Sequence, residues 1–466
     1  MFDKILTHLA PRLACKRAQA KLMLRAYEAA QASRLYPFKL DQSDHNAQVT
    51  RASVSLRAQA RHLEQNHDIS SGILDVLVHS IVGSGISIEP QVKNLSGKLD
   101  IDFNRQLLKL FNHWTSCPCV SSQADWHSLC RLICRAWLRD GEVLIRFLEG
   151  RLPGLRHPSH LPFSIDILEA DFLPMDLSNE AKNIFQGIEK DRLGQVVAYH
   201  LYSTHPDNDF QQKTTAISAN QIIHLKLVKR CHQHRGVTLF APVLRRLNDL
   251  KEYEDAERIA ARVSAAMTAY IKKPKDGFSP LAMQSANQER HFEVQPGLFI
   301  DGLNPGEEID TIQSNRPSAM LSEFCKSMLR AVAAGTRTSY SSIAKDYNGT
   351  YSAQRQELVE QAAHYNVLRQ EFIASFIRPV WARWLNLMLA ANKVQLSPSL
   401  DKGTLFDADM QGPVIPWIDP LKEVRADEVA VSAGFKSRSQ VIRERGGNPL
   451  MVGEQIAAEQ SLEKPE

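Results

Sequence analysis

From about Ser53 to Val82 the apolar residues Leu56, Leu63, Ile69, Ile73, Leu74, Leu77 and Ile81 recur at intervals that fit one helical face. The polar run Asn66–Ser71 divides the stretch, so two helices are predicted, the second opening at Ser70 or Ser71 and stopping at Gly83. Ile86–Glu89 alternates as a short strand does. Residues 102–115 and 124–139 return to helical spacing, and Asp140-Gly141 marks a turn. Further strands are predicted at Val143–Phe147, Ser164–Leu168 and Ile222–Val228. Phe185–Glu189 and Val196–Tyr202 flank Asp191-Arg192-Leu193-Gly194, the pattern of a β-hairpin. Residues 50–235 thus read as a mixed α/β body.

Beyond Pro242 the pattern changes. Val243 to Ile271 contains no Gly or Pro and predicts one helix of about 30 residues, roughly 45 Å long. Residues 273–316 hold Pro274, Pro280, Pro296 and Pro305 among strand-like runs at Phe292–Val294, Leu298–Ile300 and Glu308–Ile312, a small β module between helices. Ser318–Ala334 is helical again and ends near Gly335. Residues 336–352 are polar, contain Asn348-Gly349, and read as a long loop. Ala353 to about Ala391 predicts a second very long helix, which Pro379 should kink. After a variable stretch over 393–416 come helices at Pro420–Ala433 and Ser437–Arg445, the latter with a Ser437/Gln440 capping box, and a last helix after Asn448-Pro449. Helices take most of their stability from packing, so helices this long need neighbours. The order suggests an α+β chain in a ring, each copy supplying a helix to a central barrel.

The length of 466 residues exceeds what one core accommodates, which fits a large body with appended elements. The net charge of +4 is too small for a protein built to grip nucleic acid tightly. Residues 1–37 are more basic: seven Lys and Arg against Asp3 and Glu28 leave +5, an arm that is either simply solvated or touches DNA or a capsid wall. Arg12, Lys16 and Arg17 interrupt any signal-peptide core, and no apolar stretch reaches membrane-spanning length. With an odd count of seven cysteines, the thiols are expected reduced in a cytoplasm.

Three sharper chemistries are weak. Cys117-Pro118-Cys119 lies near His113, His127, Cys130 and Cys134, but lacks the usual two-residue ligand gap, so buried hydrophobic thiols are expected and no metal. Gly83-Ser84-Gly85 follows a helix rather than a strand, against a dinucleotide fingerprint. No nucleophile elbow or phosphate loop appears, so neither an enzyme nor a cofactor is expected, although a hydrolase built from distant residues stays open. The main rival is a DNA-binding regulator with a helix-turn-helix near 424–445, Gly434 in its turn and Arg438 and Arg443 on its second helix. Six basic against five acidic residues over 418–447 are poor for that role.

Several segments resemble the phage portal proteins of the lambda type. They are RGVTLFAPVLRRLNDLKEYEDAERIAARVSAA (235–266), VQPGLFIDGLNPGEEID (294–310), MLRAVAAGTRTSYSSIAKDYNGTYSAQRQELVE (328–360) and WIDPLKEVRADEVAVSAGFKSRSQVIRERGGNP (417–449), in the family's order. The resemblance implies a portal fold. Its parts would be a basic arm (1–39), a wing (40–240), stem helices (241–272 and 317–335) and a clip (273–316). A tunnel loop (336–352), a long kinked wing helix (353–392) and a C-terminal crown (393–466) would follow. It implies a homododecameric ring at one capsid vertex of the virion, assembled in the bacterial host cytoplasm. Double-stranded DNA would pass through it without sequence readout. Major capsid and scaffold proteins, the terminase large subunit with its separate ATPase, and head-tail completion proteins are the implied partners. AGTRTSYSSIAKD (334–346) departs from the family's more apolar, proline-containing stretch and puts Arg337 and Lys345 near the expected DNA path. Arg337, Tyr340, Lys345 and Tyr347 are therefore the candidate channel residues, the alternative being an exposed loop that meets no DNA. Glu307, Glu308 and Asp310 are the candidate docking edge of the clip, or else a solvated turn.

Overall fold

His67, extended at φ −134°, separates helix α1 (His45–Asn66) from α2 (Asp68–Ile81), so the predicted break falls in place but the second helix opens before Ser70. The computed structural model describes residues 43–151, 153–208, 213–265, 269–272, 308–311, 320–413 and 420–462, with Arg12 and Lys16. The chain divides into two units, Met1–Gln48 and Val49–Glu466, and the second carries the features below. Strand β1 (Ser87–Pro90) follows, then α3 (Ile101–Thr115), capped by the Asp100 side chain on the Phe103 N–H, and α4 (Trp126–Asp140), capped by Asp125 on Ser128. Gly141, left-handed at φ +87°, ends α4 and starts β2 (Glu142–Glu149).

β2 is the centre of an antiparallel three-stranded sheet, between β3 (Phe163–Glu169) and β8 (Ile222–Lys226). Val143, Ile145 and Phe147 face the main core, while Leu144 packs into a second cluster with Tyr199, Leu201 and Ile217. Both faces are covered, which explains the near-continuous apolar run of this strand. The second cluster lies under a four-stranded sheet of β4 (Ile184–Phe185), β5 (Ile188–Lys190), β6 (Val196–Tyr202) and β7 (Thr214–Ser218). The predicted hairpin joins β5 to β6, but Gln186 (φ +53°) and Gly187 (φ +79°) turn the expected Phe185–Glu189 strand back on itself.

The main core is aromatic. Phe111 on α3 stands at its middle, edge-on to Trp126, Trp381 and Trp384 at 6.4, 5.2 and 5.0 Å between ring centroids, and 5.5 Å from Trp114. Trp381 and Trp384 come from the late part of the predicted long helix, which runs as α8 (Tyr351–Phe372), a π-helical turn (Ile373–Ile377) and α9 (Arg378–Ala390). Pro379 has no N–H for the carbonyl four residues back. The helix accommodates it with the wide turn, in which the Arg378 N–H reaches back to the Ile373 carbonyl.

Two other expectations are corrected. The helix after Pro242, α5, is Leu244–Ala265, 22 residues, and Ala269–Lys272 is instead strand β9, paired with β10 (Glu308–Thr311). Tyr270 and Ile271 are aromatic and β-branched, which favours a paired strand over more helix. After α6 (Leu321–Thr336), the expected loop contains a one-turn helix, α7 (Tyr340–Ala344). The variable stretch over 393–416 holds β11 (Ala408–Gln411), antiparallel to β1 across 324 residues of sequence. Helices α10 (Pro420–Ser432), α11 (Arg438–Glu444) and α12 (Pro449–Leu462) close the chain. Ser437 caps α11 through the Gln440 N–H (3.0 Å), while the Gln440 side chain turns to Glu444, so the predicted box is half formed. No helix among the described residues is long and apolar enough to cross a membrane.

Because Phe111 is 3% exposed and touches four indoles, Phe111→Ala should cost about 3–5 kcal/mol, read as a lower midpoint of denaturant unfolding.

Candidate functional site

The segment between α6 and α8 carries the candidate channel residues, and its seat begins at the start of β2. Glu142 is fully buried and accepts hydrogen bonds from Arg235 (2.6 and 2.9 Å), from His224 (2.9 Å) and from the Gly236 N–H (2.8 Å). Arg235, also fully buried, donates further to the carbonyls of Ala170 (3.2 Å) and Gln186 (3.1 Å). Burial works to raise the Glu142 pKa, but the charge of Arg235 and the His224 hydrogen bond outweigh it, and the carboxyl lies well below the usual range. For His224 burial wins: its pKa is lowered despite Glu142, and Nδ1 has no partner for a second proton. The ring is therefore neutral, with Nε2–H donating to Glu142. Two glycines let these strands of chain meet: a Cβ on Gly236 would overlap the Gly141 carbonyl, and one on Gly141 the backbone of Val237.

Outside this pair lies a wider ionic layer. Arg61 binds Asp140 (2.8 Å) and Asp171 (2.6 Å), Arg57 binds Asp171 (3.0 Å), and Arg139 binds Glu64 (2.9 Å) and Asp140 (2.7 Å). Glu169, Asp171 and His205 bring three metal-type donor atoms within 4.8 Å of one another. Arg61 stands 3.3 Å from Glu169 as well as on Asp171, so guanidinium groups already neutralise these carboxylates.

From Arg235 the chain passes through the buried Phe240 and Val243 into α5. α6 packs on its start so closely that a Cβ on Gly335 would overlap the Val243 side chain, and Tyr253 meets Phe324 at 4.7 Å further along. α6 then ends with Arg337 left-handed at φ +59°, the Thr338 N–H closing on the Ala333 carbonyl (3.0 Å). Ser339 caps α7 through the Ser342 N–H (3.1 Å), and Lys345, left-handed at φ +54°, ends it. Arg337, Lys345 and Tyr347 are exposed. Among the described residues neither cation forms an ion pair. Tyr340 differs: its hydroxyl donates to Asp346 (3.1 Å) and its ring lies 5.4 Å under the Arg330 guanidinium, so it braces the segment. Burial and Asp346 raise its pKa.

On the expected clip, Glu308 and Asp310 sit on β10, in register with Lys272 and Tyr270, while Glu307 lies outside the described residues. The turn of the rival helix-turn-helix does form, with Gly434 at φ +78°. Its second helix, α11, has only seven residues, and three of the basic residues on or beside it are engaged by acids of the same chain. Arg443 binds Glu89 (3.3 Å) and Asp409 (3.2 Å), Lys436 binds Asp427 (3.4 Å) and Glu444 (2.6 Å), and Arg445 binds Asp427. Cys130 and Cys134 are fully buried in the core, where burial pushes both thiols up.

A profile of the phage portal protein, lambda family, matches residues 32–369, and the chain belongs to that family. It is thus a portal protein of a phage capsid, and membership points to a structural protein rather than an enzyme. It is 24% identical over 424 residues to the probable portal protein of Halomonas phage phiHAP-1, covering 86% of this chain and 79% of that one. To portal protein B of Escherichia phage lambda it is 23% identical over 303 residues, 58% of this chain and 56% of that one, so the match spans just over half of the lambda protein. A chain in the virion of a native gene transfer agent particle is 14% identical, with a TM-score of 0.49 over 85% of this chain and 94% of that chain.

Two outcomes follow from the buried pair. Arg235→Met should cost on the order of 3–5 kcal/mol, measured by denaturant unfolding, because it strands the Glu142 charge. The lowered His224 pKa means that the unfolded chain takes up a proton below about 6.5 while the fold does not. Stability from this residue is complete above that pH and is lost as pH falls toward the folded value. His224→Gln should flatten the dependence of the melting temperature on pH below about 6.5.

Proposed function

We propose that this portal protein closes with copies of itself into a dodecameric ring at one capsid vertex, through which double-stranded DNA is packaged and later ejected. The observation that supports the DNA-facing reading is the segment 337–350. It is a short polar turn seated on the core by buried threonines, with two exposed cations, one at the end of α6 and one at the end of α7, that form no ion pair among the described residues. Such cations offer weak, exchangeable phosphate contacts, which position a duplex without reading its sequence. A tighter grip would stall movement. α5 and α6 serve as the stem, and the β9–β10 pair is the root of a clip. That clip docks the terminase large subunit first and head-tail completion proteins later. The wing, residues 40–240, meets capsid and scaffold proteins, and the particle assembles in the host cytoplasm. The exposed Val359 and Val367 on α8, each 62% accessible, lie four-residue multiples apart, as expected of a face that a neighbouring copy covers.

Native mass spectrometry with negative-stain imaging of the full-length protein should show rings of roughly a dozen chains with a central hole; a persistent monomer or dimer would sink the ring reading. In a packaging assay, rings carrying Arg337→Ala, Lys345→Ala and Tyr347→Ala together should assemble normally yet package DNA severalfold less efficiently. Unchanged packaging would leave the segment an exposed turn that meets no DNA.

A further inference from the structure

The segment 337–350 is held unevenly. In its first half, the Arg337 carbonyl accepts from Gln361 Nε2 (2.6 Å), and Ser341 donates both its N–H (3.3 Å) and its hydroxyl (2.6 Å) to the Glu357 carboxylate. Glu357 and Gln361 stand one turn apart on α8, so both meet the segment from one helical face. In the second half, Asn348 bonds back to Asp346, and Gln354, in the first turn of α8, reaches the Tyr347 carbonyl, so the contact from α8 there is a single neutral amide. Beside the tether lies a cavity of about 380 Å³, lined among others by Ser339, Ser342, Tyr347 and Gln354.

We infer that Glu357 is a positioning residue of the portal: by holding Ser341 it fixes the place of α7, and with α7 the cation Lys345 at its C-terminal end. This rests on the reading of 337–350 as the DNA-facing segment. A carboxylate is suited to the task because one group takes both Ser341 donors, and charge-assisted hydrogen bonds are about twice as strong as neutral ones. The backbone and hydroxyl donors belong to one residue, so the contact fixes the orientation of the turn as well as its distance. The adjoining cavity gives α7 room to shift once the contact is lost. α8 continues through the π-helical turn into the aromatic core, so the tether references the segment to the main hydrophobic core.

Hydrogen exchange on the full-length protein tests this. Glu357→Ala should raise exchange at the Ser341–Ala344 amides about tenfold, the scale of one charge-assisted hydrogen bond, and leave α3 and α4 unchanged. Ser341→Ala should act in the same direction, and the double variant should exchange no faster than Glu357→Ala alone. Glu357→Gln should recover part of the protection, since its amide oxygen still accepts the hydroxyl. Unchanged exchange in Glu357→Ala, or additive effects in the double variant, would overturn the inference. If Glu357→Ala also loosens α3 and α4, Ser341→Ala carries the test, with a rise confined to α7 in support and none against. Packaging assays on the same variants keep the two readings apart. Faster exchange with unchanged packaging leaves the positioning role standing and removes the DNA-facing one.

Discussion

The buried pair of Glu142 and Arg235 is the constraint on which the rest of the subunit depends. A carboxylate removed from water survives only if every lone pair is answered, and here a guanidinium, an imidazole and a backbone N–H answer it. Arg235 in turn collects carbonyls from the turn after β3 and from the turn between β4 and β5. Three separate parts of the body thus converge on one side chain shortly before the chain enters α5. The close approach of Gly141 and Gly236 allows no side chain between them, so the contact has one geometry or none.

From that point order is passed on by packing. Val243 fits against Gly335, which sets α6 on α5; the closure of α6 aims α7; and α8 holds α7 from the other side. The exposed cations are the last links of this series rather than an independent loop. Among the described residues neither forms an ion pair, whereas in the α/β body Arg57, Arg61, Arg135 and Arg139 are all engaged by acids. The same residue type thus serves cohesion in the body and availability at the segment.

Much of this was legible in the sequence. Periodicity located the helices around Leu74, Leu107 and Leu129 and the hairpin at Gly194, because each lies within one local element with a cap or turn residue at its edge. The pairing of β1 with β11 was not, since only long-range register defines it. Nor was α7, one turn long, whose sole signal is the Ser339 cap. The candidate residues were chosen by polarity; the fold leaves Arg337, Lys345 and Tyr347 exposed and ties Tyr340 to Asp346, a contact that exists only once the turn is folded. Glu142 and His224 were invisible as a site: each sits alone in an apolar strand, and only the antiparallel register brings them to diagonal positions on one face.

The π-helical turn at Ile373–Ile377 has a further meaning. It inserts, in effect, one extra residue into a continuous rod, and one residue is about 100° of rotation about a helix axis. The tether at Glu357 and the indoles at Trp381 and Trp384 therefore keep their facing only through that surplus. Shortening the rod by a single residue there would restore regular hydrogen bonding and yet turn one half against the other, like a shaft with a slipped key. The irregularity that a proline imposes locally has become the phase reference between the interior of one subunit and the turn it presents outward.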